Sequence, residues 1–169
     1  PESASHWRIN SRQDAEGQDP CDPYRAVREG CGRCAGQLCG VNVELVVDAP
    51  EPRSDQGRAL GHAIRLEQVI LNLVSNARDA IIARQARDPE APAGRISVHM
   101  HEDVERATIH ITVDDNGGGI AEDVLPHISA PFVTTKESGQ GTGRGLSNSY
   151  GRIAGMKGGN GRANRKEGA

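Results

Sequence analysis

The chain has 169 residues, which suits one domain burying roughly 70% of the surface its unfolded form exposes. A net charge of −3 argues against bulk nucleic-acid binding, and aromatic residues at 2% leave no stacking platform for single strands. No apolar run approaches the ~18 residues of a membrane span and no charged-then-apolar leader opens the sequence, so a cytoplasmic location is expected.

Residues 1–21 are polar and weakly periodic and read as a linker or arm ahead of a domain over 22–169. Asp22-Pro23 has the form of an N-cap followed by a first-turn proline, opening a helix to about Leu38. Tyr24, Val27, Cys31, Cys34 and Leu38 make its apolar stripe. Cys31 and Cys34 then act as small core hydrophobes rather than joining Cys21 and Cys39 in a zinc site. The absence of a disulfide framework fits a reducing compartment. VNVELVVDA, residues 41–49, is valine-rich and alternates at first, which predicts a strand. A polar loop over 50–62 leads to a long helix from Ile64 to about Ala86. Its positions Leu66, Val69, Ile70, Leu73, Val74, Ala77, Ala80 and Ile81 make a broad buried face.

Residues 88–94 form a turn. Residues 95–101 and 107–115 read as an antiparallel hairpin around the charged turn 102–106. NGGGI ends the second strand. A short helix near 122–125, a loop through APFVTTKESGQGTG and a helix over about 144–156 follow, and the tail from Lys157 has room for one short strand. This order predicts an α+β fold: a two-layer sandwich whose mixed, mostly antiparallel sheet carries helices on one face.

Four stretches carry chemistry. Asn72 and Asn76 sit four residues apart on the long helix, one turn apart on one face, and Asp79 continues the stripe. Asparagine is a mediocre helix former, so two in mid-helix need a reason beyond a solvated face. An amide oxygen is a hard, neutral ligand suited to Mg²⁺. DDNGGG puts Asp115 at a strand end, where a carboxylate can accept from an exocyclic amine and glycines let backbone approach a flat ring, although Asp-Asn-Gly is also a common turn. PFVTTK holds the chain's one phenylalanine, Phe132, and a cation, Lys136, suited to a terminal phosphate. GQGTGRG, residues 139–145, runs into a helix, so its N–H groups can nest an anion, yet it matches neither the P-loop nor the dinucleotide fingerprint.

In this order and spacing the sequence resembles the GHKL ATPases, and most closely the ATP-binding catalytic domain of sensor histidine kinases. RLEQVILNLVSNARDAI is similar to that family's N box, DDNGGG to the G1 box, PFVTTK to the F box and GQGTGRGLS to the G2 box, across about residues 22–168. The compact lid is similar to the short-lid kinases of the nitrogen-regulation type. The resemblance implies a Bergerat-type α/β sandwich holding ATP between the long helix and a lid. Asn76 would ligate Mg²⁺ and Asn72 would support the metal or phosphates. Asp115 would bind the adenine amine, with Gly117 and Gly119 shaping its pocket. Gly141, Gly143 and Gly145 would wrap the phosphates. Asp79, Phe132, Thr135, Thr142 and Leu146 would complete the nucleotide contacts, with Lys136 and Asn72 acting on the transferred group.

Gyrase-type and chaperone relatives place a glutamate four residues before the metal-binding asparagine, where this chain has Asn72. A neutral amide cannot act as general base, whereas phosphoryl transfer to an imidazole needs none. The implied function is therefore transfer of the γ-phosphoryl group of ATP to a histidine on a separate dimerisation and phosphoacceptor domain, upstream of a response regulator. The alternatives are a GHKL-type ATPase that hydrolyses ATP and a nucleotide-binding module without turnover. No acceptor is evident: His6 lacks the acidic residue and proline that follow one, and His62, His99, His101, His110 and His127 read as structural or solvated. The chain thus reads as the catalytic half of a kinase, monomeric by itself and part of a homodimer at full length, with membrane attachment open. Ser129, Arg144, Asn148, Arg152 and Gly161 depart from the family's habit and remove core near the phosphate loop, and the polar GRANRKEGA stands where a final apolar strand is usual.

Overall fold

A computed structural model of the chain describes residues 2–10, 20–50, 59–60, 62–119, 149 and 159–165. Helix α1 spans Pro23–Leu38, and the Asp22 carboxylate accepts from the Arg25 backbone N–H at 2.9 Å, the cap expected from Asp22-Pro23. Helix α2 spans Ala63–Arg87, with Arg84 and Arg87 in its last turn, where a cation complements the helix dipole. No helix among the described residues is long and apolar enough to cross a membrane.

The main sheet contains β1 (Glu2–Asn10), β3 (Val43–Asp48), β5 (Gly94–Asp103), β6 (Thr108–Asp115) and β7 (Gly159–Arg165) in the order β3-β5-β6-β1-β7. β3 runs parallel to β5 and the other pairs are antiparallel, the mixed, mostly antiparallel sheet that the element order predicts. Ala107, at φ 47, closes the β5–β6 turn. A two-stranded ribbon pairs β2 (Pro20–Cys21) with β4 (Ala59–Leu60), inside the stretch expected to be loop.

One face of the sheet meets the helices. Ile96, Val98, Ile109, Ile111 and Val113 alternate inward and join Leu66, Ile70, Leu73 and Ile81 of α2 and Val27 and Cys31 of α1 in one cluster. Each fully buried aliphatic side chain there contributes roughly 1.5–3 kcal/mol. The helices approach closely at Gly30, where an added Cβ would lie 3.2 Å from Ile70 Cβ.

The expectation of a linker over 1–21 does not hold for residues 2–10. Residues 2–10 form β1, an interior strand between β6 and β7, with Trp7 and Ile9 at 1% and 0% exposure. The alternation in HWRIN is genuine but short and set among polar residues, so it escapes a reading by periodicity. The one short strand expected in the tail is β7; it forms although its sequence is polar, because an edge strand is held by backbone hydrogen bonds to its neighbour and does not require apolar side chains. Gly161 lies in β7 opposite His6, whereas Ser129, Arg144, Asn148 and Arg152, and the helices expected near 122–125 and 144–156, fall outside the described residues apart from Ser149.

Cys31 and Cys34 sit on the buried face of α1, as the apolar stripe predicts, and Cys39 is exposed. Burial pushes the Cys31 thiol up to about 12 and the Cys34 thiol up to about 11. Thiol reagents at neutral pH should therefore modify Cys39 quickly and Cys31 and Cys34 only on unfolding, which mass spectrometry with and without denaturant checks. Unfolded thiols ionise from about pH 9.0 while these two keep their protons. Their contribution is therefore complete below pH 9 and is lost as the pH rises toward 11–12. A Cys31→Ala, Cys34→Ala double variant should show a flatter fall of melting temperature with alkaline pH.

Candidate functional site

Asp115 ends β6 on the helical side of the sheet and is 9% exposed. Its Oδ1 accepts from the Gly117 backbone N–H at 2.9 Å, and its Oδ2 accepts from the Ser3 hydroxyl of β1. These bonds fix the orientation of a carboxylate that can accept about four. Asn116 pins the loop from the other side: its side-chain Oδ1 accepts from Arg95 N–H at 2.8 Å and its Nδ2 donates to Ala93 O at 3.0 Å.

Gly117 rests against α2. A Cβ added there would lie 2.7 Å from Ala80 Cβ and 2.9 Å from the Ala80 backbone carbon, closer than real Cβ atoms come. Gly118 and Gly119 have φ of +111 and +78, values that only glycine adopts without strain. The glycines after Asp115 thus let a β-strand end descend onto a helix and turn away, a close-approach role that a simple solvent turn lacks.

Across this junction α2 presents Asn72, Asn76 and Asp79. Asn72 Nδ2 donates to Ser149 Oγ at 3.3 Å, and its oxygen accepts from Gln68 Nε2 at 3.5 Å. Ser149 is fully buried, so α2 is joined here to the segment that follows the glycine-rich GQGTGRG. Asn76 lies one turn on, half-buried on the same face. Asp79 Oδ1 takes the Arg78 guanidinium at 2.8 and 3.1 Å, so its charge is already compensated by its neighbour. Glu67, almost fully buried, meets Arg33 of α1 at 2.8 Å and ties the two helices together.

The structure therefore holds Asp115 beside Gly117 and seats Gly117 against Ala80 of α2, the helix that carries Asn72, Asn76 and Asp79. Phe132, Thr135, Lys136, Gly141, Thr142, Gly143, Gly145 and Leu146 lie outside the described residues. Ser3, Asn116 and Ser149 are positioning residues that sequence reasoning missed. Nothing local marks Ser3 or Ser149, and within DDNGGG the sequence singles out Asp115, Gly117 and Gly119 rather than Asn116. Among the described residues no group of three or more His, Cys, Asp or Glu side chains is arranged to hold a metal ion.

Comparison with known proteins adds to this geometry. The family described as histidine kinase-, DNA gyrase B- and HSP90-like ATPase matches residues 61–169. The two-component sensor PprA of Pseudomonas aeruginosa is 38% identical over 98% of this chain. The sensor kinase CckA of Brucella abortus is 40% identical over 69% of it. This chain spans 17% and 12% of the lengths of those two proteins. A nucleotide-free catalytic domain of the histidine kinase ThkA superposes with a TM-score of 0.63, covering 82% of this chain and 81% of that one at 24% identity, a likeness of fold.

Proposed function

We propose, on the premise that this chain belongs to the histidine kinase-, DNA gyrase B- and HSP90-like ATPase family, that it is the ATP-binding catalytic domain of a two-component sensor kinase. It passes the γ-phosphoryl group of ATP to a histidine on a separate phosphoacceptor domain, which in turn serves a response regulator. The observation that carries this reading is Asp115, buried and oriented at the point where DDNGGG meets the asparagine-bearing face of α2.

Asp115 receives the adenine amine, and Gly117 and Gly119 form the wall against which the ring lies. The asparagines suit a triphosphate with a hard cation: Asn76 would offer an amide oxygen to Mg²⁺, with Asn72, tied to Ser149, one helical turn before it. When bound, Mg²⁺ neutralises phosphate charge. By the family resemblance, Phe132, Thr135, Lys136, Thr142 and Leu146 would contact the nucleotide, and Gly141, Gly143 and Gly145 would wrap the phosphates. An acceptor imidazole nitrogen forms the new bond to the γ-phosphorus as the bond to the β–γ bridging oxygen breaks and ADP leaves. A cytoplasmic setting suits this chemistry, and the isolated domain is a monomer.

Asn72 cannot take a proton from water, and its amide is engaged with Ser149 and Gln68. The isolated chain should therefore bind ATP yet release phosphate slowly or not at all, with transfer appearing when a helical hairpin carrying a histidine is supplied. Radiolabelled ATP followed with and without that partner checks this. Vigorous turnover by the chain alone, abolished by Asn76→Ala, would place it in the hydrolase branch of the family.

A further inference from the structure

The face of the sheet turned away from the helices carries His6 on β1, His99 and His101 on β5 and His110 on β6. Nothing in the nucleotide chemistry uses them. Two are in direct contact: His6 Nε2 lies 3.0 Å from His110 Nδ1. Their outer nitrogens are held as well, His6 Nδ1 against Thr112 Oγ1 at 3.0 Å and His110 Nε2 against Thr108 Oγ1 at 3.2 Å.

A neutral imidazole carries one N–H. With one proton turned inward the 3.0 Å contact is a ring-to-ring hydrogen bond; with both protons turned outward onto the threonine hydroxyls, two lone pairs face each other across the gap. That arrangement repels itself unless a cation lies between. Metal-bound histidines have the same outer arrangement, the far N–H donated to a fixed acceptor that sets tautomer and ring angle. With metal–nitrogen bonds of about 2.0–2.1 Å, two ligands on one ion sit roughly 3.0–3.4 Å apart, which the observed gap matches at the short end.

We propose that His6 and His110 form a two-imidazole site for a borderline divalent transition metal, Ni²⁺, Cu²⁺ or Zn²⁺, with water completing the shell. Imidazole suits these ions, whereas Mg²⁺ prefers oxygen, so the site is chemically separate from the nucleotide pocket. His101, paired across the strands from His110 with ring centroids 5.9 Å apart, stands beside the site. Arg8, in register with His110 on β1, opposes the cation and keeps the affinity modest. The bound ion bridges β1 to β6, and so braces the strand whose Ser3 holds Asp115.

The test is Ni²⁺ titration by calorimetry on the whole chain carrying Cys39→Ser, without nucleotide, so that the exposed thiol does not compete. One ion per chain is expected, with a higher melting temperature on binding. His6→Gln and His110→Gln should each weaken binding at least tenfold and cancel the thermal shift, and Thr112→Val should weaken it by on the order of tenfold through the lost outer contact. Arg8→Gln should tighten it. Absence of binding, or binding unchanged in both histidine variants, would overturn the proposal.

Discussion

Asp115→Asn should lower the affinity for ATP and ADP by roughly 10- to 150-fold, the equivalent of about 1.5–3 kcal/mol for a hydrogen bond to a charged group. The substitution is conservative for the fold. An asparagine oxygen can still accept from the Gly117 N–H, and its nitrogen can donate to the Ser3 hydroxyl, so both contacts of the buried side chain survive. What disappears is the charge and the second acceptor that an exocyclic amine requires. Calorimetry with ADP reads the binding and circular dichroism the fold. Native-like affinity in a folded variant would remove Asp115 from the adenine role. Ser3→Ala provides a graded control: it frees one carboxylate oxygen without removing it, so a smaller loss of affinity is expected.

Gly117→Ala should destabilise the chain by about 1–3 kcal/mol, the usual cost of overpacking, and weaken nucleotide binding with it. The added methyl meets Ala80 Cβ at 2.7 Å and the Ala80 backbone carbon at 2.9 Å. The second is helix backbone and cannot swing aside, so the strand end must lift from α2, carrying Asp115 away from the Asn72–Asn76 face. Gly36→Ala is the contrasting change. Gly36 lies within α1 with nothing within 4 Å of the added carbon, so alanine there should stabilise by about 0.5–1 kcal/mol. Melting curves of the two variants should move in opposite directions. A Gly117→Ala protein as stable as the parent would mean the loop is not seated on the helix.

Much of this protein is legible locally. The 3.6-residue stripe of α2, the capped start of α1 and the two-residue alternation of β5 and β6 are properties of short windows, because each element buries one face and its period records which. The placement of Cys31 and Cys34 in the core follows from the same stripe. The two helical asparagines and Asp115 stand out because their residue types are poor choices for their surroundings unless something binds there.

Tertiary structure decided the rest. Strand β1 is bounded by polar residues and has only Trp7 and Ile9 as core anchors among its described side chains, so its membership of the sheet comes from pairing with β6 and β7 rather than from its own pattern. Ser3 reaches Asp115 across 112 residues of sequence, His6 reaches His110 across 104, and Asn72 reaches Ser149 across 77. None of these contacts has a local signature, because a hydrogen bond between distant residues leaves no periodicity in either segment. The sequence by itself marked the helix and the strand end that carry the proposed site. Only the packed fold decided that a serine from the first strand orients the site's carboxylate, and that two histidines from separate strands face each other on the opposite side, since strand register alone sets which side chains become neighbours.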